Sequence, residues 1–238
     1  YLNSNHLFDI LCRLLIERNY FPSVFRAGHL TERVDLNFFL EQWIPFDLSN
    51  GSNLNDNYFH QSASRFGDWR RAPRDWIPYN PSLNDYQSIG NLNRYIGRCL
   101  SIVSRDHKIT DKDIFLAFQN AEKYNASLLS FSSHDFRVMR DDINKIYNKI
   151  LRISKKFKDV KFKFTDGLNA FRQVQKIKNN KKINLNFKIV NIGHLQKIII
   201  STDVKLFGPQ PFFAIKTKKK EYFWQNLDSE KPNIWSYT

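Results

Sequence analysis

Residues 127–174 read SLLSFSSHDFRVMRDDINKIYNKILRISKKFKDVKFKFTDGLNAFRQV. The apolar run at 127–132 predicts a short strand that ends shortly before His134. Met139, Ile143, Ile146, Ile150, Ile153 and Phe157 then recur at helical spacing and predict one long helix. Residues 160–164 alternate Val and Phe with Lys, the period of a second strand, and Asp166 is placed to cap a helix running to Val174. Strand, helix, strand and helix in succession is the pattern of a parallel α/β sheet or an α/β barrel.

The same alternation extends upstream. Residues 98–103 predict a strand, followed by a helix from Asp111 with Ile114, Phe115, Phe118 and Ala121 on one face. Near the start, Leu7, Phe8, Leu11, Leu14 and Leu15 predict a helix after Ser4 and Asn5. Residues 23–25 predict a strand ending at Arg26, with a turn at Gly28. Thr31 is placed to open a helix with Val34, Leu36, Phe39, Leu40 and Trp43 inward, and the run 44–46 ends at Asp47. Between about 49 and 95 lies an excursion with three prolines and many aromatics. Its length marks it as functional, and its Trp and Tyr content argues for order. Downstream of Lys182 the period becomes two, with strands expected at 183–190, 195–201, 212–217, 221–225 and 234–237. The expected organisation is a partial α/β domain over 1–178 and a small antiparallel β unit over 179–238.

Composition sets the outer bounds. Hydrophobic residues make up 42% and charged residues 25% of the 238, which excludes an intrinsically disordered chain. The net charge of +14 is uneven, with 13 Lys/Arg against 13 Asp/Glu in residues 1–119 and 24 against 10 in the rest. A tail rich in Lys, Asn and Ile together reads as compositional drift; a nucleic-acid partner is the lesser alternative and is not expected. Two cysteines, Cys12 and Cys99, form no disulfide framework or ligand cluster and fit a reducing, cytoplasmic compartment. No apolar run reaches the roughly 20 residues of a membrane span. The chain opens on Tyr1 inside an amphipathic pattern, so it is expected to be a piece of a longer polypeptide.

Working residues of parallel α/β folds gather where strands end and loops begin. Arg26, Asp47 and His134 each follow a short apolar run, and together they supply a cation, a carboxylate and an imidazole for acid–base chemistry. In the excursion Trp69, Trp76, Tyr79 and Arg74 are candidates for walling a sugar cleft; the alternative is that the rings form a satellite core. Elbow, dinucleotide-binding and phosphate-loop motifs do not occur in the sequence.

Phe25-Arg26-Ala27-Gly28, then Phe46-Asp47-Leu48-Ser49, then Leu128 through His134 stand in an order that resembles the later motifs of the polysaccharide deacetylases with a NodB homology domain. The resemblance implies a distorted (β/α) barrel that hydrolyses N-acetyl groups of a sugar. It gives His134 the role of protonating the leaving amine, Asp47 that of tuning the imidazole, and Arg26 that of holding the catalytic carboxylate. It also implies a zinc-like divalent metal, bound by two earlier motifs that these residues do not include. The chain by itself is therefore expected to carry no metal and to be inactive. A glycan-binding relative without catalysis on the same scaffold is the alternative.

Overall fold

The computed structural model describes residues 4–53, 67–103, 107–134, 136, 138–177 and 183–238. In chain order the elements are α1 (Ser4–Arg18), β1 (Val24–Phe25), α2 (Val34–Trp43), β2 (Phe46–Asn50), β3 (Tyr95–Ser101), α3 (Asp111–Tyr124), β4 (Ser130–Ser132), α4 (Arg140–Ser154) and α5 (Gly167–Val174). They continue with β5 (Asn186–Ile192), β6 (Leu195–Ser201), β7 (Phe213–Lys216), β8 (Tyr222–Gln225), β9 (Asp228–Lys231) and β10 (Ile234–Tyr237). The fold is mixed α/β: a four-stranded parallel sheet and separate antiparallel sheets. Two compact units result, one of residues 23–178 and one of residues 1–22 with 179–238.

In the larger unit β1, β2, β3 and β4 pair in that order, every pair parallel. Val24 stands beside Phe46 and Phe46 beside Tyr95; Cys99 stands beside Ser130 and Ser101 beside Ser132. Neighbours in register share a face and side chains alternate along a strand. One face therefore carries Val24, Phe46, Tyr95, Gly97, Cys99, Ser130 and Ser132. Helix α5 covers part of it, with Phe171 stacked on Phe46 at 4.7 Å. Gly97 admits that ring: a Cβ there would lie 2.9 Å from Phe171 Cζ. The opposite face puts Ile96 into a core with Leu30, Trp69, Ala72, Tyr79 and Tyr86. Further along, Leu100 meets Trp76, Ile114, Phe118, Ile146 and Ile150.

The sheet is curled. Laid flat, β1 and β4 would be three strand spacings apart, about 14 Å, farther than one side chain extends. Yet Arg26 Nη2 donates to Ser132 Oγ at 3.0 Å, so the face bearing Arg26 and Ser132 is concave.

Helix α3 opens with a capping box: Thr110 Oγ1 accepts from the Asp113 amide while the Asp113 carboxylate accepts from the Thr110 amide. Asp166 caps α5 through the Asn169 amide at 2.9 Å, as its position in the sequence suggested. On α4 the buried stripe is Ile146, Ile150 and Ile153, while Met139 and Ile143 remain exposed. The expected strand at 160–164 does not form; these residues join no sheet, and Phe162 and Phe164 stay exposed. Alternating Phe and Lys suits the edge of a sheet, but the segment pairs with no strand and instead lines a cleft together with β4.

The smaller unit holds the antiparallel sheet β5-β6-β10-β9 and the hairpin β7–β8. Ile200, Leu227 and Trp235 form its core. Helix α1 belongs here and not to the α/β unit as the sequence suggested. Phe8 stacks on Trp224 at 4.2 Å, Arg13 lies 4.4 Å over the Tyr222 ring, and Glu17 accepts from the Tyr222 hydroxyl. Aromatic rings on both elements bury each other, and no pattern within α1 itself reports that partner. Among the described residues no helix is long and apolar enough to cross a membrane.

Candidate functional site

Asp47 is the second residue of β2 and is fully buried. Its Oδ2 accepts from Arg94 Nη1 at 2.8 Å and its Oδ1 from the Ser49 amide at 2.7 Å. Arg94 is itself fully buried, bonded also to Asn37 Oδ1 and to Glu32. One guanidinium thus faces two carboxyl groups away from water. Burial first, then the Asp47 charge, push the Glu32 carboxyl up to about 10, with Arg94 opposing. Glu32 therefore holds its proton far more tightly than a free carboxyl does. Burial and the same two acids also push the Tyr79 phenol up.

This placement separates Asp47 from His134. Asp47 stands level with Ile96, and Ser132 level with Ser101. Asp47 is buried with its carboxylate on Arg94, whereas His134 is exposed beyond β4. The expected pairing of Asp47 with His134 is replaced by the Asp47–Arg94 pair.

Arg26 and the end of β4 do come together. Arg26 follows β1, remains exposed, and reaches over the concave face to Ser132. Beneath it lies the buried Cys99 thiol. Burial pushes that thiol up, opposed by the charge and hydrogen bond of Arg26 and by the Ser132 and Ser130 hydroxyls. His134 follows two residues after Ser132, exposed, its ring 5.0 Å from that of Phe136. Ser133 Oγ is buried and has no hydrogen-bond partner among the described residues. On the neighbouring strand end, His107 Nδ1 donates to Gly51 O at 2.7 Å, which fixes the proton on Nδ1. His107 was not singled out from the sequence. The available signal was its position after the β3 strand, the same relation that drew attention to His134.

The aromatic candidates are core. Trp69 donates from Nε1 to Leu30 O at 2.8 Å, Trp76 to Asp113 O at 2.7 Å, and the Tyr79 hydroxyl to Tyr86 O at 2.7 Å; all three are buried. Trp76 lies under the Arg98 guanidinium at 4.5 Å, and Arg98 pairs with Asp113 at 2.6 Å. Arg98 also donates to Ser52 O and, from Nη1, to Arg74 O. The Arg74 side chain turns to its own segment, Nη2 to Arg70 O at 3.4 Å. A ring that is enclosed on both faces with its polar atom satisfied offers nothing to a sugar, so Trp69, Trp76 and Tyr79 form core and not a cleft wall. Tyr58 and Phe59 of the same stretch lie outside the described residues.

No group of three or more His, Cys, Asp or Glu that could hold a metal ion occurs among the described residues. No family model matches the chain, and searches of curated proteins and of solved structures likewise give no match.

Proposed function

We propose that these residues form part of a hydrolase that removes acetyl groups from an N-acetylated glycan, on a barrel of the deacetylase kind. The observation that carries the reading is Arg26 crossing the concave face to Ser132, on the strand that delivers His134. A guanidinium and an imidazole borne on the C-terminal edge of one curled parallel sheet occupy the usual place for chemistry in such folds. In this reading His134 gives a proton to the amine as the amide C–N bond breaks, and Arg26 fixes the end of β4. Asp47 takes no part and holds Arg94. The reading assigns the metal ligands and the base carboxylate to none of Arg26, Asp47 and His134. Two free, buried cysteines support a reducing compartment.

The test is acetate release from a hexamer of N-acetylglucosamine by the natural full-length polypeptide, with zinc added. Acetate in proportion to enzyme supports the proposal. Hexamer binding without acetate favours the glycan-binding alternative.

A further inference from the structure

The sheet β5-β6-β10-β9 treats its two edges differently. One edge is β9, Asp228–Lys231, where all four residues are exposed and three are charged, a composition that keeps a strand edge from pairing. Its register with β10 also shifts between Ile234 and Trp235. The other edge is β5, Asn186–Ile192, which pairs with β6 in unbroken register from Asn186–Ser201 to Ile192–Leu195. It carries no proline, no bulge and a single charge, Lys188. Among the described residues no strand pairs with its outer side, so alternate N–H and C=O groups along it face outward. Phe187 stands beside Ile200, Ile189 beside Ile198, and Ile200 beside Trp235. These residues share the face that forms the core of the smaller unit. Yet Ile200 and Trp235 are 1% and 5% exposed, whereas Phe187 and Ile189 are 63% and 62% exposed. The apolar face therefore runs out to the open edge, past the residues that cover it.

We propose that β5 is the contact between two copies of this chain, pairing antiparallel with the β5 of a second copy so that the two four-stranded sheets become one. A symmetric contact must be self-complementary, and this strand is. A two-fold axis normal to the sheet leaves every side chain on its own face. With that axis at Ile189, Ile189 meets Ile189 of the second copy, Phe187 lies opposite Asn191 and diagonal to Ile189, and Lys188 lies opposite Val190. No like charges meet, and the uncovered ends of two apolar faces cover each other. The register centred on Lys188 sets lysine against lysine and is disfavoured. The single charge of β5 gives a foreign acidic strand little to recognise, whereas its apolar face matches its own copy. Growth stops at two copies because both outer strands of the joined sheet are β9, whose charges block a further strand. The contact is an edge and a few side chains per copy, so dissociation is expected in the micromolar range, about 1–100 μM.

Sedimentation velocity of the natural full-length polypeptide, from about 1 to 200 μM to bracket that range, tests the proposal. The expected result is a reversible monomer–dimer equilibrium with nothing larger. Ile189→Lys sets two like charges on the axis and should leave a monomer at the highest concentration. Its circular dichroism spectrum should be unchanged, because the side chain is exposed. Ile189→Cys reads the register directly. Cα atoms opposite one another in an antiparallel pair are about 4.5–5.5 Å apart, within the span of a disulfide, and Cys12 and Cys99 are buried. Oxidation by diamide should link two Ile189→Cys chains and should not link Phe223→Cys chains, although Phe223 is exposed in the same unit. A wild-type monomer throughout, a dimer that Ile189→Lys leaves intact, larger assemblies, or no link through Ile189→Cys would each overturn it. If Ile189→Lys fails to fold, the two cysteine variants decide alone.

Discussion

Replacing Glu32 with Gln should flatten the pH dependence of stability. Glu32 is buried beside Asp47 and Arg94, and its carboxyl is raised from 4.5 to about 10. A raised acid contributes its full stability below the unfolded value, near 4.5, where both states hold the proton. As pH rises the unfolded chain releases the proton and the folded chain keeps it. Stability then falls, by at most about 1.4 kcal/mol per pH unit, until the folded group ionises near pH 10. Between pH 5.5 and 8.5 the upper bound is about 4 kcal/mol. Water entry and movement of Arg94 soften this, and we expect about 1–3 kcal/mol. Gln keeps the shape and one acceptor for Arg94 and has no proton to lose. Urea unfolding at pH 5.5, 7 and 8.5 should be followed by tryptophan fluorescence, since Trp69 and Trp76 lie in the same unit as Glu32. The stability of Glu32→Gln minus that of wild type should grow steadily with pH, all other titrations cancelling. A constant difference across the three pH values would refute a protonated Glu32.

Trp76→Ala should cost about 3–5 kcal/mol of stability, read as a lowered urea midpoint, and should leave glycan affinity of the folded protein unchanged; weakened binding at full stability would restore the cleft-wall role. Asp47→Asn should cost only about 1–3 kcal/mol, because Glu32 can ionise and take over Arg94. Its turnover, corrected for folded fraction, should stay far above that of a general-acid deletion, and a loss of about 10²–10⁴-fold would show that Asp47 acts on His134 after all.

Much of the fold was legible where local signals and tertiary demands agree. The 3.6-residue stripes gave α3 and α4, Asp166 marked the start of α5, and the period-two tail gave β6 and β10 with their observed bounds. Strand β9, Asp228–Lys231, escaped because all four residues are exposed and three are charged. Residues 160–164 misled for the opposite reason: their alternation is strand-like, but pairing depends on whether an edge lies within reach. The candidate site was legible in part. A cation after β1 and an imidazole after β4 follow from the rule that strand ends carry chemistry. That Arg26 would touch Ser132 depends on the curl of the sheet, which no local pattern states. Asp47 was misplaced because a carboxylate after an apolar run looks the same whether it faces a cleft or a buried arginine. The arginine, Arg94, lies 47 residues away in sequence.

The most direct measurement is the steady-state kinetics of acetate release by the full-length polypeptide with His134→Ala beside wild type. A general acid acts on the leaving amine in the transition state and adds little to ground-state binding. The expected result is a fall in kcat of about 10²–10⁴-fold with KM nearly unchanged. Wild-type kcat in His134→Ala would contradict the assignment of the C-terminal edge as the site of chemistry.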